Sequence, residues 1–534
     1  MMKLTSLAFG LSALLGLVGH AVAQNFDVKS YAIENSTLAS DAELQKVLLP
    51  YTGSGKNFGT LQSAIGAIEA YYSDQGYGAV KVMLPEQDIE DGKVRLSVVE
   101  AIVGRVEISG PQFFSEENIR RSLPGLKEGT RPNLREIDAS LRVANESAAK
   151  QTNLLLRRGE KDGQVDAVVK VADENPLRLA ITADNSGVPG SDGKYNTGQF
   201  RSGFVLQHAN LFERDHALSL QYMTSPDHLA KVAIAGVGYR LPLYARGDAL
   251  ELAFGYSSVD SGKLATAAGP IGITGSGQIF SGKYDQMLPK WGDWLAKLTY
   301  GIDYRLYTNR VKADASSESL VPDAAVHPFS LTYSGSALQD QRMISGGITY
   351  AHNLPGGANG TTDDFTQPGG RAGATASYQL WRYNLSLTQF LPSDWMLKGA
   401  LNGQTTRDAL ISGEQFGAGG ADSVRGFYER EVANDKGHRA SIELYSPDLP
   451  SLQGSASEFK ARVLAFVDVA QLGRNQIQPG ELEKNTISSY GLGLRGAFGK
   501  QLTYRLDWGV IDRPGSTPHK SGDQHVHGAI IKSF

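Results

Sequence analysis

The chain has no cysteine among its 534 residues. Disulfides, thiol nucleophiles and thiolate metal sites are therefore excluded. Past its first residues it also lacks any apolar run approaching the about 20 residues that a membrane helix requires. Neither sign of charge dominates: 52 Lys and Arg stand against 56 Asp and Glu, for a net charge of −4. That balance argues against a bulk nucleic-acid binder. Glycine and tyrosine are plentiful, at 61 and 22 residues, which suits many tight turns and interfacial aromatics better than a helical enzyme.

The one apolar run lies at the start. Lys3, the stretch Leu7 to Val18 and the Ala21-Val22-Ala23 site have the form of a secretory signal peptide, residues 1–23, and the run is too short for an anchor. The mature chain then begins at Gln24. It is exported without cysteine, and no second span is available. It is either soluble after export or a β-barrel, because only helices and closed barrels satisfy every backbone group in lipid. Its length exceeds that of one ordinary domain.

Residues 24–175 alternate helical and strand patterns, and do so twice. In the first copy Leu61, Ile65, Ile68 and Tyr72 recur at helical spacing up to a stop near Gly76. Ala79 to Leu84 and Lys93 to Val99 follow as strands joined through Glu90-Asp91-Gly92. In the second copy Gly104 to Ser109 is a strand, Ser115 caps a helix to Ser122, and Arg135 to Ala149 is a further helix. Asn153 to Arg158 and Val165 to Val171 form a hairpin through Lys161-Asp162-Gly163.

After Pro176 the period changes to two. Leu250, Leu252, Phe254 and Tyr256 alternate with Glu251, Ala253, Gly255 and Ser257. Leu502, Tyr504, Leu506 and Trp508 alternate with Thr503, Arg505, Asp507 and Gly509. A soluble sandwich buries the apolar face, whereas a membrane barrel turns it to lipid and keeps the polar face in a wet lumen. Segments of about 10–14 residues fit tilted membrane strands. Long polar excursions at Thr308 to Leu331 and Leu354 to Arg371 alternate with short turns, and the chain ends on an aromatic strand, Val526 to Phe534. These features favour a transmembrane antiparallel β-barrel over residues 176–534, of about sixteen strands, preceded by two small α/β domains.

Two motifs inside that region carry a specific chemistry. Ser423-Val424-Arg425-Gly426-Phe427 follows Gly419-Gly420, and about forty residues later comes Phe466-Val467-Asp468-Val469-Ala470. An arginine in a confined lumen requires a carboxylate, and a planar guanidinium is best held by a planar acid.

With these motifs the chain resembles a two-partner-secretion outer-membrane transporter, the TpsB family of FhaC, ShlB and HecB within the BamA-like superfamily. Tyr71-Tyr72-Ser73-Asp74-Gln75-Gly76-Tyr77, Leu84-Pro85-Glu86-Gln87-Asp88-Ile89, Asp91-Gly92 and Val98-Val99-Glu100 resemble the family's first polypeptide-transport-associated (POTRA) domain. The resemblance implies POTRA domains at 24–101 and 102–175, and a sixteen-stranded barrel whose loop around 416–429 folds into the lumen. It assigns Gly419, Gly420, Ser423, Val424, Arg425, Gly426 and Phe427 to the tip of that loop, and Phe466 and Asp468 to the wall that receives it. Arg425 would pair with Asp468, and Phe534 would be the signal read by the barrel assembly machinery. Ala470 departs from the family's usual glycine, and the first POTRA-like strand starts near Phe26, with no plug helix ahead of it.

The implied function is export of one unfolded exoprotein partner, of the haemolysin or adhesin-like TpsA type, across the outer membrane. The POTRA domains would capture it in the periplasm, and folding outside would drive transport. The alternatives are a BamA-like insertase and a solute porin. Besides the exoprotein, the expected partners are outer-membrane lipid and the assembly machinery, with no nucleic acid. Gly53-Ser54-Gly55-Lys56 lacks the phosphate-loop spacing because Asn57 follows the lysine. His525 and His527 are two apart on a lumen-facing side but no third ligand accompanies them, so no metal and no cofactor is expected. No nucleophile, base and oxyanion set indicates an enzyme. Arg120-Arg121 and Arg157-Arg158 read as solvated edges.

Overall fold

The computed structural model describes residues 25–534 apart from 90, 191–192, 259–260, 267–268, 275, 309–320 and 453–457. The expected leader, Glu90 of the expected turn and the centre of the Thr308 to Leu331 excursion lie outside the described residues. The contacts divide the chain into two units. One runs to Arg105 and adds Glu128–Leu134 and Arg158–Asp166; the other holds Val106–Lys127, Arg135–Arg157 and Ala167–Phe534.

In the first unit the helix Phe58–Asp74 buries Leu61, Ala64, Ile68 and Tyr72, one stripe at helical spacing. The stripe joins a core with Tyr31, Val82, Val94, Leu96 and Val98. These come from a sheet ordered Ser30–Glu34, Lys93–Glu100, Val80–Met83, in which the first pair is parallel and the second antiparallel. A helix the periodicity had not revealed, Asp41–Leu48, is set by a capping box between Ser40 and Glu43.

Glu100 closes this unit. Its carboxylate accepts from Thr37 N (2.6 Å), Thr37 Oγ1 (2.5 Å) and Leu38 N (2.8 Å), and Arg131 Nε lies 2.7 Å away. Burial acts to raise its pKa, but the Thr37 and Leu38 donors and Arg131 outweigh it, so the group is held below the usual carboxylate range. A depressed folded value stabilises the fold above the unfolded pKa of about 4.3 and is lost as pH falls through the folded value. Glu100→Gln is expected to cost about 2 kcal/mol. The check is limited proteolysis of the intact protein, where cuts within residues 25–105 should come earlier.

A second three-stranded sheet is ordered Ile102–Ser109, Gln164–Asp173, Lys150–Arg158, with helices Glu116–Ser122 and Leu134–Asn145. Ser115 caps the first helix by accepting from Asn118 N at 3.2 Å. The second helix stops at Asn145, short of the expected Ala149. The Asn145 amide is committed to the next strand, accepting from Thr152 N at 2.6 Å and donating to Thr152 O at 2.8 Å.

From Leu177 onward, period-two strands close into an antiparallel barrel. Seventeen segments form the ring, but Ala324–Val326 and Pro328–Gln339 lie end to end beside Leu295–Tyr307 as one interrupted strand, giving sixteen. That strand begins at Ala324, so the expected excursion to Leu331 is shorter than its polarity suggested. The seam joins the first strand, Leu177–Asp184, to the last, Gln524–Ser533, with Ala529 opposite Asp184 and Ser533 opposite Ala180. Leu252, Ile302, Trp381, Leu385, Leu506 and Trp508 face outward, while Arg240, Glu251, Asp285, Gln404, Asp468 and Asp507 are buried inside. This is the membrane solution to the alternation, greasy out and polar in. The excursion after Leu354 carries the helix Thr362–Thr366, whose Phe365 is buried among Val326, Tyr378 and Leu410.

Candidate functional site

Thirty residues separate the eleventh strand, Met396–Thr405, from the twelfth, Lys436–Tyr445. They turn back into the lumen. A short stem pairs Phe416–Ala418 with Val432–Asn434. Its shoulder is pinned by Glu414, which is buried and takes bonds from Arg305 (2.8 Å), Arg382 (3.1 Å) and Tyr307 Oη (2.6 Å). Gly419 and Gly420 sit at φ +113° and +99°, in the left-handed region that glycine reaches without penalty, and there the chain leaves the stem for the tip. Ser423 ties that bend together, Oγ accepting from Gly419 N at 3.2 Å and its N–H donating to Gly420 O at 3.0 Å.

At the tip Arg425 meets the wall. Nε donates to Asp468 Oδ2 at 2.7 Å and Nη2 to Asp468 Oδ1 at 2.8 Å, the two-pronged geometry that a guanidinium and a carboxylate share. The backbone N–H of Arg425 adds a third bond to Asp468 Oδ2 at 3.1 Å. Nη1 reaches Glu443 Oε1 at 2.7 Å and lies 3.5 Å from Asp507 Oδ1, and Nη2 contacts Ser441 Oγ at 3.2 Å. The guanidinium carbon sits 3.5 Å from the centroid of the Phe466 ring, a cation–π contact. Val424 and Phe427 flank the arginine and are fully buried, packing with Ala470, Leu472, Ile487 and Ile511. The methyl of Ala470 is thus part of the apolar seat rather than an obstruction to it.

The sheet register explains why these groups converge. Along Phe459–Gly473, residues 464, 466, 468, 470 and 472 point inward while Val467 and Val469 face outward. Ser441 stands opposite Asp468 and Glu443 opposite Phe466 on the neighbouring strand. On the other side Gly491 faces the Phe466 ring, where a Cβ would come within 2.7 Å of its tip. Asp507 and Gly509 lie inward on Leu502–Arg513, and His527 stands opposite Asp507 on the last strand. Five adjacent strands therefore build one receptor.

Of the residues read from the sequence, Val424, Arg425, Gly426 and Phe427 seat on the wall that carries Phe466 and Asp468, while Gly419, Gly420 and Ser423 form the bend that brings them there. Phe534 lies apart, exposed beyond the last strand, its N–H bonded to Leu179 O at 2.8 Å across the seam. The sequence did not single out Glu443, Ser441 or Gly509, and it read His527 only as half of an incomplete metal pair, not as a contact of the loop. His527 Nε2 accepts from Gly426 N at 3.1 Å, so this member of the His525–His527 pair engages the loop backbone. The signal was available: Asp507 and Glu443 are acids at inward positions between apolar outward ones, and acids on a lumen face call for a cation. Beside the loop a cavity of about 600 Å³ remains, lined by Arg201, Arg439, Arg505 and Asp184 among others.

A family model described as haemolysin secretion/activation protein ShlB/FhaC/HecB matches residues 163–496, and one described as POTRA domain, ShlB-type, matches residues 26–101. The chain is 23% identical over 442 residues to the outer membrane transporter CdiB of Escherichia coli, covering 78% of this chain and 68% of that one. It is 22% identical over 519 residues to the heme/hemopexin transporter protein HuxB of Haemophilus influenzae (strain 86-028NP), covering 94% and 85%. The solved structure of CdiB from Escherichia coli matches with a TM-score of 0.75 at 19% identity, over 97% of this chain and 92% of that one. CdiB from Acinetobacter baumannii gives 0.69 at 18%, over 96% and 90%. These structural likenesses establish the shared fold, and, because the first family model takes in more than half of its residues, the chain belongs to the haemolysin secretion/activation protein family of ShlB, FhaC and HecB.

Proposed function

We propose that this protein exports one unfolded exoprotein partner through its barrel, and that the inner loop, seated by Arg425 on Asp468, is the element that keeps the barrel competent for export. The barrel sits in the outer membrane with the N-terminal α/β domains in the periplasm. Its relatives CdiB and HuxB are transporters by name. The observation that carries the role of the loop is the fully buried, two-pronged contact between a loop-tip arginine and a barrel-wall aspartate.

The domain limits 24–101, 102–175 and 176–534 belong to this proposal. So does the capture step: Ser30–Glu34 and Val80–Met83 are the outer strands of the first sheet, and an unfolded chain can add to such an edge through backbone bonds that tolerate varied side chains. Phe534 would serve as the assembly signal, and its place at the end of the strand that closes the seam is consistent with that. Folding of the partner outside would supply the free energy.

The test compares the culture supernatant and the surface proteome with and without the gene. Loss of one large exoprotein, restored by the wild-type chain, is the expected result. A joint fall of many outer-membrane proteins would instead identify an insertase, and no change in either would leave a porin.

A further inference from the structure

The turn joining the second and third barrel strands, Arg201–Leu211 and His216–Thr224, is strained. Phe212, Glu213 and Asp215 all adopt positive φ, at 60°, 54° and 58°, a region costly for side chains with a Cβ. Such strain persists only where the surroundings impose it. Here the surroundings are the second α/β module. Lys150 Nζ donates to Asp215 Oδ2 at 2.7 Å and to Asn118 Oδ1 at 2.9 Å. Asn118 Nδ2 in turn donates to Asp215 Oδ1 (3.0 Å), Asn210 Oδ1 (3.1 Å) and Glu213 O (3.0 Å). Tyr244 Oη, from the next turn on the same end of the barrel, completes the shell of Asp215 at 2.5 Å. Lys150, Asn118, Asn210 and Asp215 are all buried, and the Lys150 ammonium also lies 5.0 Å from the Phe114 ring centroid. The contact extends outward: Arg121 Nη1 donates to Glu213 O at 2.7 Å, and Ser140 Oγ to Tyr244 O at 2.8 Å.

A buried ion pair is a poor device for stability, because apolar residues of the same volume commonly do as well. Burial draws the Lys150 ammonium below its ordinary pKa, with Asp215 working against that. What a pair of this kind supplies is geometry: Lys150, Asn118, Asp215 and Tyr244 are bonded to one another in the relative position of module and barrel seen here, and a shift of the module would separate them. We propose that Lys150 and Asp215, with Asn118 and Tyr244, form a latch that registers the second α/β module on the mouth of the barrel, and that this registration delivers the exported chain into the lumen. It rests on the export function proposed above. Lys150 and Asp215 are positioning residues: they act through the placement of the module.

The absence of cysteine makes the test direct, since engineered thiols are the only thiols. The double substitution Lys150→Met with Asp215→Asn removes both charges together. It is expected to leave a heat-modifiable barrel in the outer membrane and to lower export per folded barrel about tenfold. Adding Ser115→Cys and Glu213→Cys, whose native side chains meet at 2.9 Å, and bridging them with a short thiol-to-thiol cross-linker is expected to restore export. Export per barrel unchanged in the double variant overturns the latch, because a merely structural pair lowers barrel quantity and export together. An intact barrel that the bridge fails to restore also overturns it. If the double variant does not reach the membrane, Tyr244→Phe decides: it removes one bond to Asp215, and unchanged export per barrel would refute the role. Arg425→Ala run in parallel separates the two levels, since failure of the export function itself would leave that variant without effect too.

Discussion

Arg425→Ala is expected to abolish most export while the barrel still inserts. The guanidinium is the hub of the receptor: Asp468, Glu443 and Asp507 all point at it, and Asp468 and Asp507 have no access to solvent. Removing the hub leaves buried acid without its cation, a loss of about 3–5 kcal/mol where nothing else compensates. Part is recovered, because Asp507 keeps Arg495 at 2.9 Å and Asp468 keeps Ser441 Oγ at 2.6 Å. Even about 3 kcal/mol shifts a seated-to-released ratio more than a hundredfold. The barrel itself is held by its strand ladders, which this change does not touch. Asp468→Asn is expected to do less, because Arg425 then retains Glu443 and Asp507. Arg425→Lys keeps a charge but loses the planar fork and falls between them. Exoprotein in the supernatant, divided by heat-modifiable barrel in the membrane, gives the ranking. Unchanged export in Arg425→Ala, or Asp468→Asn worse than Arg425→Ala, would remove the loop seat from the mechanism.

Much of this architecture was legible because the physics that sets it is local and periodic. The alternation around Leu252 and Glu251, or Trp508 and Asp507, fixes which side chains share a face, and the length of the strands fixes the solvent on the greasy side. The two halves of the tip-and-wall pair were legible for a different reason: their motifs resemble the family's, and the chemistry agrees, since an arginine in a glycine-rich loop and an aspartate on an inward face are incomplete alone. What the sequence did not reveal depends on register. That Glu443 stands opposite Phe466, or that Gly509 lies beneath Gly426, follows from how neighbouring strands are staggered, and a shift of two residues would preserve every hydrophobic pattern while dissolving the receptor. The Lys150–Asp215 contact escaped for the same reason at longer range, 65 residues apart and joined only by the packing of the module on a turn.

Gly509→Ala is the second change with a large expected effect, and it alters no charge. A Cβ at position 509 would stand 2.7 Å from Gly426 N, 2.9 Å from Arg425 C and 3.0 Å from Gly426 Cα. All three are backbone atoms of the tip, so no side-chain rotation relieves the overlap. Either the wall bends, against strands paired on both sides, or the tip lifts. Lifting the tip stretches Arg425 N to Asp468 and Gly426 N to His527, both already at 3.1 Å. Overpacking of this kind costs about 1–3 kcal/mol, enough to cut export about tenfold. Gly528→Ala is the control: its Cβ would lie 3.7 Å from Leu506 Cδ1, in ordinary contact, and export should hold. The two perturbations strike one contact from opposite directions, charge in Arg425→Ala and shape in Gly509→Ala. Once the arginine is gone the tip is already released, so the extra methyl finds nothing left to displace. The double variant should therefore export no less than Arg425→Ala alone, the strong non-additivity expected of residues sharing one interaction. Additive losses would mean that Gly509 matters for the strand and not for the seat, and that the tip and the wall are coupled less tightly than the hydrogen bonds between them imply.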